Sequence, residues 1–288
     1  MKDWYLDAAC GSKNWNCLIY YFAQNPIAVF PYWIRKKNGF QWIDMPPLVK
    51  YMGPIIHPNY RNSDWTKRIW DDFARRIPKY FLFRQNFNPS ILDWLPFFHQ
   101  GFSQTTAYSF YLKKTNKSDL WNNLHRNIKR NIQKAEKAKI IVVHEDKPDI
   151  LLNLQENSFQ RQNIKVPYSE PIFYQIDREL KTRKKRYILF AQKDSGEKIA
   201  GAYLLHDGNV CYYHISGENS QYRSLGSGIL LLWEAINFAF DKLNVEVFDF
   251  EGSMIKGVES IRRQFGANPY PYFKIQKVKY SWMKIILS

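Results

Sequence analysis

Two carboxylates close the apolar run "VFDFE": Asp249 and Glu251, set on either side of Phe250. On a strand the side chains alternate, so Val245, Val247, Asp249 and Glu251 would share one face, with Glu246, Phe248 and Phe250 on the other. The two acids would then end the strand on one side, roughly 6.5 to 7 Å apart. The C-terminal end of a strand in an open α/β sheet is where ligands tend to bind, so either acid can act there as a general base. The same pattern fits one acid capping the next turn and the other standing in water.

A second chemical signal lies upstream, where "YRSLGSG" sets Arg223, Gly226 and Gly228 in an Arg-x-x-Gly-x-Gly pattern between an expected strand and an expected helix. Glycine lets the backbone come close to an anion, and free N–H groups at a helix N-terminus point at it with the positive end of the dipole. A pyrophosphate suits such a loop. Past the acids, Val258, Ile261 and Phe265 have the spacing of one apolar helix face, which leaves Lys256, Arg262 and Arg263 to meet an anionic ligand. Arg161 and Tyr168, in "SFQRQNIKVPYSEP", and Tyr213, in the strand "VCYYHISG", are the other candidates for contact with substrate. His214 in that strand reads as a satisfied core imidazole sooner than as a catalyst.

These residues need a scaffold. The first part of the chain alternates strand-like runs ("IAVFPYWI", "YFLFRQNF", "TTAYSFYL") with helix-like ones ("DWTKRIWDDFARRI", "PSILDWLPFFHQ"), the pattern of an α/β or α+β lobe. The stretch "KSDLWNNLHRNIKRNIQKAEKAK" predicts a helix capped by Ser118 or Asp119, with Leu120, Leu124, Ile128 and Ile132 as a narrow apolar stripe. Arg126, Arg130, Lys134 and Lys137 form a basic ridge on its other side, either a solvated face or a contact for phosphates. A second alternation follows, in which "DGN" joins "KIAGAYLLHD" to "VCYYHISG" as a hairpin and the apolar helix "ILLLWEAINFAFDKL" leads into "VEVFDFE". The basic helix over 118–139 is the expected boundary between a lobe of residues 1–117 and a lobe of residues 140–288.

Composition narrows the class. With 288 residues, 45% hydrophobic and 17% aromatic, the chain can bury a substantial core. Its 42 Lys and Arg against 26 Asp and Glu give a net charge of +16, which favours anionic partners: nucleic acid, nucleotide phosphates, anionic glycans or lipid headgroups. Three cysteines, Cys10, Cys17 and Cys211, with no Cys-x-x-Cys and no histidine cluster, speak against a disulfide framework or a metal site and for a reduced, cytoplasmic compartment. The longest apolar stretch, 229–240, is too short to span a bilayer and carries Glu234 and Asn237, so any membrane contact would be peripheral. Neither a Gly-x-Ser-x-Gly elbow nor a full Walker loop is present.

In order, "LWNNLHRNIKRNIQKAEKAKI", "KIAGAYLLHDGNVCYYHISG", "YRSLGSGILLLWEAINFAF" and "VFDFEGSMIKGVESIRRQFGANPYPYF" resemble the corresponding pieces of the GNAT-superfamily acyltransferases, specifically the FemAB-like and BioF2-like branch with a double GNAT lobe. The resemblance covers roughly Ser118 to Lys274. It implies an α/β (α+β) fold of two GNAT-like lobes, each a mixed, mostly antiparallel sheet flanked by helices, joined by the basic helix. It also implies transfer of an acyl group from an activated donor to an amine of a sugar, an amino acid or a cell-envelope precursor. In GNAT proteins the glycine loop binds the pyrophosphate of acyl-CoA, which carries over to Arg223, Ser224, Leu225, Gly226, Ser227 and Gly228, with no metal. Asp249 or Glu251 would deprotonate the amine, and backbone N–H groups of "CYYHISG" would polarise the carbonyl.

FemAB-like relatives use aminoacyl-tRNA to extend peptidoglycan bridge peptides. That makes tRNA an alternative donor, met by the ridge from Arg126 to Lys137 and by "RKKR" at 183–186. A third reading is a non-enzymatic module for nucleic acid or an anionic membrane surface.

Overall fold

The structure is a computed structural model that describes residues 2–37, 39–161, 163–252 and 254–279. The chain forms two compact units: one holds the residues up to Ala107, Tyr168–Glu179 and the chain from Pro271, the other Tyr108–Pro167 and Leu180–Tyr270.

The first unit begins with α1 (Asp3–Cys10), β1 (Trp15–Phe22), β2 (Asn25–Lys37), β3 (Phe40–Asp44), β4 (Ile55–Ile56), α2 (Ser63–Arg76), β5 (Leu82–Asn86) and α3 (Leu95–His99). Strand β2 pairs antiparallel with β1, β3 and β4, and β3 runs parallel to β5. Helix α2 starts where the Asn62 side chain accepts a hydrogen bond from Trp65 N–H, and its periodic face buries Ile69, Trp70 and Phe73. Phe30 sits at the centre of the aromatic core, with the rings of Phe73, Phe83, Phe87 and Phe97 at 5.7 to 6.3 Å. The expected helix "PSILDWLPFFHQ" shrinks to α3. Upstream of it, the Asn88 and Asp93 side chains accept from the amides of Ser90 and Leu95, local bonds that compete with a helix start.

The chain continues through β6 (Ser103–Lys113), α4 (Lys117–Asn122), α5 (Arg126–Lys137), β7 (Ile141–His144), α6 (Pro148–Gln160), α7 (Glu170–Thr182), β8 (Arg186–Gln192), β9 (Lys198–His206) and β10 (Val210–Glu218). It ends with α8 (Ser227–Asn237), β11 (Val247–Asp249), α9 (Lys256–Gln264) and β12 (Asn268–Val278), which pairs antiparallel with β5 from Lys274 onward. In the second unit the strand order is β6-β11-β10-β9-β8-β7, antiparallel except for β10 with β11. The mixed, mostly antiparallel α/β fold expected from the sequence is the fold found. Among the described residues no helix is long and apolar enough to cross a membrane.

The single basic helix expected over 118–139 is two helices. Asn116, not Ser118 or Asp119, caps α4 by accepting from Asp119 N–H, and His125 breaks the run in an extended conformation that caps α5 through its Nδ1. Leu120, Leu124, Ile128 and Ile132 are nonetheless all buried in the second unit's core, which α8 completes with Leu231, Trp233 and Ile236. On α6, Gln155 comes so close to Gly217 of β10 that a Cβ there would lie 2.2 Å from its amide nitrogen. Strand β10 carries a bulge at His214, since Tyr213 pairs with Leu204 and Ile215 with Tyr203.

Candidate active site

The glycine loop folds as a 3₁₀ turn, Ser220–Leu225, followed by Gly226 as the N-cap of α8 at φ 83°. Glycine is required there twice over, because a Cβ would also meet Asn131 O of α5 at 2.5 Å. What occupies the helix end is a side chain of the protein. Glu218, the last residue of β10, accepts from Gly228 N–H at 2.8 Å and from the Ser227 hydroxyl at 2.9 Å through Oε1. Its Oε2 lies 3.9 Å from Arg223 Nε, and a Cβ on Gly228 would fall 2.8 Å from Oε1.

Three nearby amides are committed too. Gly226 N–H donates to Arg223 O, and the N–H groups of Ile229 and Leu230 donate to Gly226 O. A carboxylate thus already sits at the positive end of the helix dipole. The diphosphate of an acyl-CoA does not fit this position alongside Glu218, and the residues assigned to it have other uses. Gly226 accommodates α5, Gly228 accommodates Glu218, and Ser227 is buried. Leu225 packs on the second unit's core, while Ser224 and Arg223 are exposed.

Beside Glu218 opens a cavity of about 400 Å³ bounded by α5, the end of α6, β10 and α9. It brings together six of the expected residues, Arg161, Tyr213, Arg223, Gly226, Gly228 and Arg262, and adds Asn127 and Asn131. The Arg262 guanidinium lies 5.5 Å from the Tyr213 ring and 5.2 Å from the Phe250 ring, a cation held on aromatic faces. Its Nε is buried without a hydrogen-bond partner, and no carboxylate pairs with it among the described residues. Burial pulls its pKa down and the neighbouring Tyr213 acts the other way. Arg263, by contrast, is used up in an ion pair with Glu259 at 2.7 Å, and Lys256 is exposed on the first turn of α9. Tyr168 is not part of the cavity wall; it belongs to the first unit and stacks on Phe173.

The two acids part company. The ladder of β11 stops at Asp249, and Glu251 takes a left-handed φ of 51°, so strand alternation no longer sets its direction. Asp249, 3% exposed, accepts from the Ser109 hydroxyl at 2.8 Å, from Glu251 N–H at 2.7 Å and from the Tyr270 hydroxyl. Glu251 Oε2 is 2.9 Å from His214 Nδ1, and His214 Nε2 is buried with no hydrogen-bond partner among the described residues. Neither acid lines the cavity beside Glu218. Sequence reasoning therefore passed over Glu218, Ser109 and Tyr270, and read His214 as a core imidazole. Only Glu218 had a usable signal, an acid at a strand end just ahead of the glycine loop.

Comparison with known proteins adds the following. A family model described as "Acetyltransferase (GNAT) domain" matches residues 122–270, just over half of the chain. No curated protein sequence matches it. Among solved structures it is similar to FemX, with a TM-score of 0.71 and 10% identity, covering 99% of this chain and 93% of that one. A tandem GNAT protein from the clavulanic acid biosynthesis pathway gives a TM-score of 0.59 at 10% identity, covering 92% of this chain and 82% of that one. L-PGS from Bacillus licheniformis gives 0.57 at 9% identity, covering 94% of this chain and 87% of that one. At such identities the likeness is one of fold.

Proposed function

The chain belongs to the acetyltransferase (GNAT) domain family, and from that premise we propose that it transfers an acyl or aminoacyl group from an activated donor to an acceptor amine, with His214 as general base and Glu251 as its partner. The observation that carries this reading is the contact of Glu251 with His214 Nδ1, which leaves Nε2, a buried nitrogen, without a hydrogen-bond partner among the described residues. A carboxylate on one ring nitrogen favours the Nδ1–H tautomer and leaves the Nε2 lone pair to take a proton. His214 stands in the bulge of β10, past the last recorded β10–β11 pair at Tyr212↔Asp249. Beyond that pair, N–H groups of β10 on the β11 side are without a ladder partner among the described strands, and they suit a developing oxyanion.

The step balances simply. The amine nitrogen attacks the acyl carbon, the N–C bond forms, and the N–H proton passes to His214 Nε2. The oxyanion then collapses, the bond to the leaving group breaks, and the leaving group carries off the electron pair and the proton from the imidazolium. Asp249 serves as a positioning residue: its bonds to Ser109, Tyr270 and Glu251 N–H hold the turn that presents Glu251. Arg262 receives an anionic group of a bound substrate. The acceptor in this reading is an amine on a sugar, an amino acid or a cell-envelope precursor.

The ridge on α5 favours a polyanionic carrier for the donor, because Arg126, Arg130, Lys134 and Lys137 are all exposed and none is in an ion pair among the described residues. Binding of such a carrier would weaken steeply with salt. The test of the chemistry is turnover of a panel of acyl and aminoacyl esters and thioesters with amine acceptors. His214→Gln is expected to lower kcat by about 10²- to 10⁴-fold. Full turnover by that variant would contradict the assignment of the base.

A further inference from the structure

The loop most like a diphosphate site is filled by the protein itself. Three independent contacts say so. Glu218 Oε1 takes both Gly228 N–H and the Ser227 hydroxyl. Arg223, the basic residue of the loop, faces the other oxygen of the same carboxylate at 3.9 Å. Both glycines are explained without a ligand, Gly226 by Asn131 O and Gly228 by Glu218. A buried cation of the adjoining cavity without a carboxylate lies elsewhere, on α9, where Arg262 rests on Tyr213 and Phe250.

We propose that Glu218 is a built-in anion that closes the N-terminus of α8 to phosphates, so that this chain takes an acyl donor whose leaving group presents no diphosphate there. The inference rests on the acyl-transfer reading for the word donor, though the closure itself is a property of Glu218 and the loop. A carboxylate with two charge-assisted hydrogen bonds at a helix N-terminus is already well placed, and a diphosphate entering the same space would have to displace it or bear like-charge repulsion. Selectivity follows from that repulsion, since a donor without phosphates at this point meets no such barrier. A small anionic group can still enter the cavity and reach Arg262.

The test uses the intact protein, with coenzyme A and inorganic pyrophosphate as probes, read by calorimetry and by the amide signal of Gly228. Wild type is expected to show no saturable binding of either probe up to about 1 mM and no movement of the Gly228 amide. Glu218→Ala is expected to bind at least about tenfold more tightly than wild type and to move that amide. Binding to wild type with a shift of Gly228, or a Glu218→Ala protein that gains nothing, overturns the proposal. If the variant fails to fold, the wild-type spectrum alone decides. Failure here would leave the role of His214 untouched, and an active His214→Gln enzyme would leave the Glu218 result standing.

Discussion

In the first unit Asp44, 4% exposed, takes four hydrogen bonds: two from Arg84, one from Arg35 and one from Met45 N–H. In the second unit Arg262 is drawn off water onto two aromatic rings with no carboxylate to answer it, and His214 keeps one buried nitrogen unpaired. A neutralised buried charge belongs to the architecture. An unanswered one costs stability, and a chain that tolerates it keeps it for a group that comes from outside. The contrast is between Asp44, whose charge is spent on folding, and Arg262 and His214, each of which keeps a buried nitrogen without a hydrogen-bond partner among the described residues.

The contrast can be broken or sharpened by substitution. The largest effect is expected on chemistry: His214→Gln should raise the barrier to acyl transfer by about 3 to 5 kcal/mol while leaving the melting temperature near that of wild type. Turnover and thermal melts on one preparation check both halves of that expectation. Asp44→Asn should do the reverse, costing about 3 kcal/mol in urea unfolding because it leaves two guanidinium groups without their carboxylate, with little effect on acceptor or donor recognition.

Acid should imitate that variant. Burial alone would raise the Asp44 carboxyl, but the hydrogen bonds and charge of Arg84, with Met45 N–H and Arg35, hold it below the usual carboxylate range. Its contribution is then fully present above about pH 4 and is lost as pH falls through the depressed value, so the acid limb of the stability curve should flatten in Asp44→Asn. Melts from neutral pH downward, wild type beside variant, give the comparison.

The smallest effect is the most discriminating. Arg262→Met keeps the length of the stem and removes the unpaired charge, so stability should stay level or rise by about 1 kcal/mol. Binding of small anions in the cavity should nevertheless disappear. A loss of stability as large as that of Asp44→Asn would mean that Arg262 is as structural as Asp44, and the contrast would fail.

Much of this molecule was legible from its sequence because alternation and helical spacing are local. The hairpin of β9 and β10, the apolar α8 and the apolar stripe from Leu120 to Ile132 all follow from neighbours within a few residues. What was hidden depended on partners far along the chain. His214 looked like a core imidazole until Glu251, 37 residues on, was found at its Nδ1. Asp249 and Glu251 were assigned one face by strand periodicity, and the left-handed turn at Glu251 undid that pairing by ending β11 early. Glu218 is a different case, hidden although its partners lie only nine and ten residues on, because a loop that signals an anion site in sequence can be answered by a carboxylate of the same chain.

The most direct test is the protonation of the His214 ring, read by nitrogen NMR in the intact protein at neutral pH. With Glu251 on Nδ1, the ring should be in the Nδ1–H tautomer with Nε2 unprotonated, and Glu251→Gln should remove that preference. A neutral ring that carries its proton on Nε2 would contradict the account, because the nitrogen assigned to take the amine proton would already hold one.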